Sequence, residues 1–350
     1  MKTEVVAAVD LYSPWRERRS DRQSQNADTI KRAVDLLQKG ETIALPTETV
    51  YGLAADALNP IAVAKIFEVK ERPRFDPLII HLPDRDWLGR IVDIRVQDRQ
   101  LISKLTDRFW PGPLTIVLPR KSNVPEIVTA GLDTGAVRIS AHPVFIEVIR
   151  EFGKPLAAPS ANRFGRVSPT TGRHVLDELN GLIPLIVDAG STTHGIESTI
   201  VAVRDSKIDI LRRGPVTAEQ LSEFAKIDII APSAKISAAG QLPSHYAPKT
   251  SLRLIEHANS FSPTKNQRVG LLAWNPIESE KDFAAVRCLS ERQNLCEAAS
   301  NLFRYLRELD QSDLDLIVAE RVPEVGLGAA IMDRLRRAAH RRIDAQDTPG

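Results

Sequence analysis

Residues 156–171 read LAAPSANRFGRVSPTT, an apolar run that stops at Pro159 and continues in hydrogen-bonding side chains. Leu-Ala-Ala-Pro is typical of the end of a short buried strand, whereas Pro, Ser, Asn and Gly are typical of turns. The turn carries four hydroxyl groups, one amide and two guanidinium groups. In an open α/β sheet, ligands bind in the loops that follow the strands. The stretch therefore predicts a strand of an α/β sheet that delivers a polar loop to a ligand site.

The composition is that of a globular protein with two domains. The chain has 350 residues, of which 43% are hydrophobic and 26% charged, and its net charge of +2 does not by itself indicate a nucleic-acid partner. Cys288 and Cys296 form neither a C-x-x-C pair nor a disulfide framework, which suits a reducing compartment. No apolar run has membrane-spanning length, and the N-terminus does not resemble a signal peptide. We expect a cytoplasmic protein with no membrane partner.

The segments on both sides of residues 156–171 alternate between helix and strand patterns. Residues 27–40 space their apolar side chains as a helix does, with Asp28 as the expected N-cap, and Pro60 and Pro143 stand at two further helix starts. The predicted strands are TIALP (42–46), PLIIHL (77–82), LTIVLP (114–119), GAVRIS (135–140), KPLAAP (154–159), IPLIVDAG (183–190), STIVAV (198–203) and KIDILR (207–212). The pattern predicts an N-terminal arm at residues 1–25 and an α/β domain at residues 26–215.

A change in composition after this domain predicts a linker and a second domain. Residues 216–250 begin with a helix pattern and become rich in Pro, Ser, Ala and Gly, which is typical of a linker. Residues 251–350 then return to strand and helix patterns and end in an arginine-rich helix. The predicted strands here are SLRLIE (251–256), RVGLLAW (268–274) and LDLIVAE (314–320), and the predicted helices lie within 291–309 and at about 328–340. This pattern predicts a smaller, Rossmann-like α/β domain.

The sequence lacks the common motifs for phosphate binding and nucleophilic catalysis. It contains no G-x-G-x-x-G, no Walker loop with its lysine, no G-x-S-x-G and no H-E-x-x-H. Its histidines are scattered singly, so we expect no metal held by a dedicated protein cage. Instead, several strands end in Ser, Thr, Asn, Lys or Arg, a combination that suits a polyanionic ligand. For any single loop, ordinary turn chemistry explains the residues equally well.

Arg138 and the charged run at residues 70–74 could each have a structural role in place of a role in ligand binding. Arg138 lies inside an apolar strand, where an unpaired charge is costly. It either binds a ligand or forms a buried ion pair, for which Asp133 and Glu197 are the expected partners. The run KERPR at residues 70–74 is either part of the site or a solvated charge run.

Several motifs together resemble a known family. In chain order they are PTETVYGLAADA, KIFEVKERPRFDPLIIHL, FWPGPLTIVL, VRISAHP, APSANRFGRVSPT, GIESTIV and ILRRG. This series resembles the YrdC-like domain of threonylcarbamoyl-AMP synthases, and SHYAP with GLGAAIMDRLRRAA resembles the long, two-domain form of that family. The resemblance covers roughly residues 25 to 340. It implies a twisted mixed sheet with flanking helices in the catalytic domain at residues 26–215.

The resemblance also implies the reaction. The family makes threonylcarbamoyl-AMP and pyrophosphate from ATP, L-threonine and bicarbonate or CO2, with Mg2+ accompanying the ATP. The product serves N6-threonylcarbamoyladenosine formation in tRNA, so tRNA and tRNA-modification proteins are expected partners besides the small-molecule substrates. Because the threonine carbamate is the nucleophile, no catalytic residue of the protein is expected to attack. Positioning and charge stabilisation would supply the catalysis.

The family's binding residues transfer to matching positions of this chain. The residues implied for threonine are Thr49, His81, Arg138 and Ser198. Those implied for ATP are Lys70, Arg72, Asp76, Thr134, Ser160, Asn162, Ser168, Arg212 and Tyr246. Tyr246 belongs to the linker, which would act as a lid over the nucleotide.

Two rival functions stay open at the level of sequence. One is a non-catalytic RNA-binding module, favoured by the arginine-rich last helix but not by the low net charge or the absence of an RNP-type aromatic motif. The other is an enzyme that makes carbamoyl-adenylate with the same domain, although such enzymes usually carry zinc fingers for which this chain lacks the cysteines. The sequence makes no prediction of the oligomeric state or of the role of the second domain.

Overall fold

The computed structural model describes residues 2–8, 19–230, 246–277 and 280–340. The chain divides into two compact units. The first comprises residues 1–164 and 168–241, and the second comprises residues 165–167 and 242–350. Residues 231–245 of the predicted linker and lid at 216–250 lie outside the described residues.

The first unit is built on one mixed sheet of eleven strands. The strands are β1 (Glu4–Ala7), β2 (Ile43–Leu45), β3 (Gly52–Asp56), β4 (Ile79–His81), β5 (Leu114–Pro119), β6 (Thr134–Arg138), β7 (Leu156–Ala157), β8 (Leu185–Asp188), β9 (Thr199–Arg204), β10 (Lys207–Arg212) and β11 (Ile227–Ile229). Their order across the sheet is β1-β8-β2-β3-β7-β4-β6-β5-β9-β10-β11. The α/β class with a mixed sheet is thereby confirmed. Strand β1 lies within the predicted N-terminal arm and pairs in parallel with β8.

Helices flank this sheet, and their ends follow local sequence signals. They are α1 (Arg19–Gln38), α2 (Pro60–Lys70), α3 (Leu88–Ile91), α4 (Arg99–Phe109), α5 (Glu126–Thr129), α6 (Pro143–Phe152), α7 (Gly172–Leu179) and α8 (Ala218–Ser222). The Asn59 side chain accepts the N–H groups of Ile61 and Ala62 at the start of α2, and α6 ends at Gly153, whose φ is +73°. The expected cap at Asp28 is wrong, because α1 begins nine residues earlier at Arg19.

The second unit contains a smaller, all-parallel sheet. Its strands are β12 (Leu252–Ile255), β13 (Val269–Ala273), β14 (Ala285–Cys288) and β15 (Leu316–Glu320), and its helices are α9 (Leu295–Asp310) and α10 (Leu327–Ala339). The strand order is β12-β15-β13-β14, with every pair parallel. This agrees with the predicted Rossmann-like arrangement. Strand β14 was missed because Ala-Val-Arg-Cys is only half-buried and shows no apolar pattern.

The two faces of the large sheet differ in how they are packed. Because side chains alternate along a strand, Val137 of β6 and Ile80 of β4 point to one face, where they join the main hydrophobic core. Ala136 and Ile79 point to the other face, where they belong to a small cluster of five buried residues. Leu156 of β7 points to this face as well and belongs to a separate, larger cluster that includes residues of α1 and α6. Arg138 lies two residues after Ala136 and therefore projects from this second face. The sheet thus places a charged residue next to the small apolar cluster of this face.

None of the helices in the described ranges has the length and apolar character needed to cross a bilayer.

Candidate active site

Strand pairing brings three of the residues implied for threonine together. Strands β4 and β6 are parallel with His81 directly opposite Arg138. On the other side of β6, Ile116 of β5 lies opposite Val137, so Thr115 lies next to Arg138 in this antiparallel pair. The Thr115 hydroxyl is 2.8 Å from the hydroxyl of Ser198, which immediately precedes β9. His81, Arg138 and Ser198 therefore lie along one row of the sheet.

The Arg138 side chain is buried and paired with a carboxylate from a distant loop. Its Nη2 donates to Glu48 Oε1 at 2.7 Å, and its Nη1 donates to Thr49 Oγ1 at 3.2 Å. Ser140 Oγ donates to the other carboxylate oxygen of Glu48 at 2.5 Å. Arg138 does form a buried ion pair, but its partner is Glu48 and not Asp133 or Glu197.

The loop that carries Glu48 and Thr49 is fixed by its own hydrogen bonds. Thr47 Oγ1 accepts the N–H groups of Thr49 and Val50, and it donates to the Val50 carbonyl at 2.6 Å. At its end, the Tyr51 N–H donates to Pro169 O, and the Tyr51 carbonyl accepts Ala161 N–H. The loop is consequently attached to both halves of the stretch at residues 156–171.

Two buried polar atoms of this row have no hydrogen-bond partner among the described residues: His81 Nδ1 and Arg138 Nε. Burial, and secondarily the charge of Arg138, holds the pKa of His81 well below its usual value, so its imidazole is neutral at pH 7. Buried polar groups are normally hydrogen-bonded. A bound ligand with acceptor and donor groups would satisfy these atoms.

Arg212 and Ser198 form a second contact at the end of the same row. Arg212 Nε donates to Ser198 O at 3.1 Å, and its Nη2 lies 2.9 Å from Ser198 O and 3.1 Å from Ser198 Oγ. The guanidinium group, implied for the nucleotide, thus holds Ser198, which is implied for threonine. Arg212 is buried, so this contact braces the backbone before β9.

Lys70, the last residue of α2, holds the loop that contains Ser160 and Asn162. Its Nζ donates to Ser160 O at 2.5 Å and to Asn162 O, and its carbonyl accepts Phe164 N–H at 2.8 Å. The side chain is completely buried. Burial, and secondarily the charge of Arg72, lowers the pKa of Lys70 to about 7. Lys70 therefore fixes the conformation of the polar loop.

Arg72 and Asp76 form a buried ion pair beside Lys70. Arg72 Nη2 lies 2.9 Å from Asp76 Oδ2, and the guanidinium group also donates to the carbonyls of Asp76 and Pro77 at 3.1 and 2.9 Å. The description of residues 70–74 as a solvated charge run is wrong for Lys70 and Arg72, which are buried, but holds for Glu71 and Arg74, which are exposed.

The residues implied for ATP extend to the opposite end of the sheet. Leu156 of β7 pairs with His81 in antiparallel fashion, so the chain runs from there toward the other end before it reaches Ser160. Thr134 begins β6, four residues or about 13 Å from Arg138. Thr134 lines a cleft of about 420 Å³ whose other lining residues include Arg95, Val117, Ala202 and Arg204. The residues implied for ATP therefore lie at both ends of the strands and not at one edge of the sheet.

Two further residues implied for ATP lie apart from these contacts. Ser168 is fully buried and donates its hydroxyl hydrogen to Glu197. Tyr246 belongs to the second unit, where its ring is stacked on Phe303 with 5.4 Å between centroids, and the Arg334 guanidinium lies 5.1 Å from the ring centroid. The expectation that Tyr246 closes over the nucleotide stays a prediction.

Sequence reasoning did not assign Glu48, Ser140 and Thr115 to the site. A signal for Glu48 was present, because a buried arginine in an apolar strand requires a carboxylate, and Glu48 stands in a polar loop just after β2. In the ranges that the structure describes, no group of three or more His, Cys, Asp or Glu side chains could hold a metal ion.

Two family models match the chain. The model described as telomere recombination matches residues 35–214, and the model described as threonylcarbamoyl-AMP synthase, C-terminal domain, matches residues 216–340. The Bacillus subtilis threonylcarbamoyl-AMP synthase is 38% identical over 339 residues, which cover 93% of this chain and 96% of that protein. The Pyrococcus abyssi threonylcarbamoyl-AMP synthase is 36% identical and covers 90% of this chain and 95% of its own length.

A solved structure has the same overall architecture. The crystal structure of P. abyssi Sua5 complexed with L-threonine superposes with a TM-score of 0.83 at 33% identity, and the match covers 96% of this chain and 98% of that chain.

Proposed function

The chain belongs to the threonylcarbamoyl-AMP synthase family, and we propose that it is an L-threonylcarbamoyladenylate synthase. Such a nucleotidyltransferase converts ATP, L-threonine and bicarbonate or CO2 into threonylcarbamoyl-AMP and pyrophosphate. The observation that carries the proposal is the buried row of His81, Arg138 and Ser198, whose unpartnered polar atoms suit a small amino acid. The likeness to a threonine-bound relative over almost the whole chain supports it.

The reaction consists of two bond-forming steps. The threonine amine, after giving its ammonium proton to solvent, attacks the carbon of CO2 while one C=O electron pair moves to oxygen. The nitrogen then gives one further proton to solvent, which leaves a carbamate. A carbamate oxygen then bonds to the α-phosphorus of ATP while the bond to the bridging oxygen of the β-phosphate breaks. Pyrophosphate carries away that electron pair. The protein needs to orient the reactants and to stabilise the charge that develops on the phosphates.

We assign the threonine to Thr49, His81, Arg138 and Ser198. A guanidinium group suits a carboxylate ligand because it offers parallel N–H donors. A neutral His81 can accept a hydrogen bond from the threonine hydroxyl or donate one to an oxygen, whichever tautomer is present.

We propose that the nucleotide binds the residues that the family resemblance implies for ATP, namely Lys70, Arg72, Asp76, Thr134, Ser160, Asn162, Ser168, Arg212 and Tyr246. Lys70 and Arg72 donate to protein oxygens, which supports a role in shaping the loop that would contact the nucleotide. The hydroxyl groups and backbone N–H groups of the loop would then orient the phosphates.

We propose that Mg2+ enters with ATP. Mg2+ in nucleotide sites usually keeps several waters and takes one or two carboxylates together with phosphate oxygens. The described residues contain no group of three or more metal-ligating side chains, but Glu197, next to Ser168, offers the single carboxylate that such an arrangement takes. The ion would supply charge neutralisation of the phosphates.

We further propose that the product serves the threonylcarbamoylation of tRNA in the cytoplasm. The unstable adenylate would need a nearby acceptor system, so tRNA or tRNA-modification proteins are the partners that we expect.

The test is pyrophosphate release by the purified protein with ATP, Mg2+ and bicarbonate, in the presence and absence of L-threonine. We expect release only when threonine and bicarbonate are both present. A folded, ATP-binding sample that releases no pyrophosphate would contradict the proposal. Salt-dependent RNA binding by that same sample would favour the RNA-binding module. Release with carbamoyl phosphate in place of threonine would favour the carbamoyl-adenylate enzyme.

A further inference from the structure

We propose that Glu48 determines the specificity of the Arg138 pocket for a zwitterionic amino acid over a simple hydroxy acid. Its carboxylate orients the Arg138 guanidinium, makes the buried pair electrically neutral and provides the acceptor for the ammonium group of the ligand. The inference rests on the proposed function in one respect, since it takes L-threonine as the amino acid that binds there.

The geometry shows that Glu48 sets the position of Arg138. The two side chains are 3% and 8% exposed, and their closest atoms are 2.7 Å apart. Ser140 holds the second oxygen of the carboxylate at 2.5 Å, so the carboxylate cannot turn away from Arg138 without losing a buried hydrogen bond. The His194 N–H donates to the Glu48 carbonyl at 2.9 Å and fixes the backbone as well.

These contacts use two of the five N–H groups of Arg138 and leave three, one of them on a nitrogen that makes no hydrogen bond to the described residues. Nη1 donates to Thr49 and Nη2 to Glu48, whereas Nε has no hydrogen-bond partner among the described residues although it is buried. His81, in register with Arg138, likewise keeps Nδ1 without a partner. A carboxylate that binds at Nε therefore comes within a few ångströms of the Glu48 carboxylate, because both contact the same guanidinium group.

The charges of the site explain the selectivity. The charges of Arg138 and Glu48 sum to zero, and the adjacent His81 is neutral at pH 7 because burial lowers its pKa. A ligand that carries only a carboxylate would bring an uncompensated negative charge into this buried site, which is costly. An amino acid in its zwitterionic form adds no net charge, and its ammonium group can donate to a lone pair of Glu48. Each carboxylate oxygen has lone pairs for more than one donor.

The experiment compares two ligands that differ only in the amine. Calorimetry measures the binding of L-threonine and of (R)-3-hydroxybutyrate, which is threonine without its amino group, to the full chain and to Glu48→Gln. We expect the wild type to prefer threonine by at least about 100-fold, the scale of one unpaired buried polar group. In Glu48→Gln, threonine affinity should fall at least about tenfold while hydroxybutyrate affinity stays equal or rises.

A purely structural role for Glu48 predicts a different result. If Glu48 only holds Arg138 in place, both affinities fall by the same factor in Glu48→Gln, and this outcome overturns the proposal. Ser140→Ala is the matched control, because it removes a hydrogen bond of Glu48 and keeps both charges. It should shift the two affinities in parallel and leave their ratio unchanged.

A second variant covers the case in which Glu48→Gln does not fold, as judged by circular dichroism. Glu48→Asp keeps the negative charge on a shorter side chain, so the preference for threonine should persist even if both affinities fall. Loss of the preference in Glu48→Asp would overturn the proposal. The outcome is separable from the proposed function: threonine binding without pyrophosphate release contradicts the synthase activity and leaves the role of Glu48 intact.

Discussion

Arg138 and Lys70 are both buried cations of the first unit, but they are stabilised in different ways. Arg138 contacts the Glu48 carboxylate and keeps one buried nitrogen without a protein partner. Lys70 donates to two backbone carbonyls, and burial lowers its pKa to about 7. Burial lowers the pKa of both groups. The Glu48 carboxylate, hydrogen-bonded to Arg138, opposes this shift there, whereas the Glu178 and Asp76 carboxylates oppose it at Lys70 without a hydrogen bond to Nζ. The comparison indicates that Arg138 is organised to bind the carboxylate of a ligand and that Lys70 is organised to hold a loop.

The two regions compared are the surroundings of Arg138, which include Glu48, and the surroundings of Lys70, which include the loop at Ser160 and Asn162. The largest effect of a substitution is expected at Arg138. In Arg138→Ala, the affinity for L-threonine should fall at least about 100-fold, and the free energy of unfolding should fall by about 3–5 kcal/mol because Glu48 stays buried without its partner. ATP affinity should change far less. Calorimetry with each ligand and urea denaturation measure these quantities.

Arg120→Ala is the control for this prediction, because Arg120 also lies at a strand end of the sheet but pairs with the exposed Glu126. It should leave threonine affinity unchanged. If Arg138→Ala bound threonine as tightly as the wild type does, the threonine assignment would be wrong.

Substitution of Asp76 should lower stability less than substitution of Arg138 does, and it should weaken ATP binding but not threonine binding. The Asp76 side chain is fully buried and lies 2.9 Å from Arg72. Asp76→Asn removes the negative charge and should lower the free energy of unfolding by about 3 kcal/mol. ATP affinity should fall, since the variant disturbs the segment next to the polar loop, and threonine affinity should not. Equal losses of ATP affinity and threonine affinity would show that the two regions do not bind different ligands.

The titration of Lys70 provides a pH-dependent test. The unfolded chain keeps the ordinary lysine pKa of 10.5, whereas the folded value is about 7. Between these values the unfolded state binds more protons, so the contribution of Lys70 to stability rises with pH from about 7 to about 10. Below pH 7 the folded protein must bury the charged amine, and the destabilisation is complete.

Lys70→Met removes this titration. Between pH 7 and pH 9, the free energy of unfolding of the wild type should rise by about 2 kcal/mol relative to that of the variant. Urea denaturation at the two pH values, with Lys104→Met on the exposed side of α4 as the control, measures the difference. Parallel pH profiles for the wild type and Lys70→Met would show that Lys70 is charged in the folded protein.

The comparison also shows which parts of the site could be predicted from the sequence. Local signals located the ends of two helices, since Asn59 and Pro60 begin α2 and Gly153 ends α6, because capping depends on neighbouring residues. The cap signal at Asp28 failed, because α1 begins at Arg19. The partner of Arg138 was not predicted, because Glu48 is 90 residues away and only the fold brings the two together. The acceptors of Lys70 could not be predicted at all, since every residue has a backbone carbonyl and no residue type marks the two that Lys70 contacts.

Tyr51 connects the two regions and should give the smallest effect. Its backbone contacts Pro169 and Ala161, while its hydroxyl lies 2.9 Å from an Asp188 carboxylate oxygen and 2.7 Å from Gly190 O. Tyr51→Phe removes only the hydroxyl contacts and should lower the free energy of unfolding by about 1–1.5 kcal/mol. Because the backbone contacts remain, threonine and ATP affinities should fall by the same small factor. Calorimetry with both ligands, against Tyr305→Phe in the second unit as the control, would detect a preferential loss of one ligand, which would mean that Tyr51 belongs to one region alone.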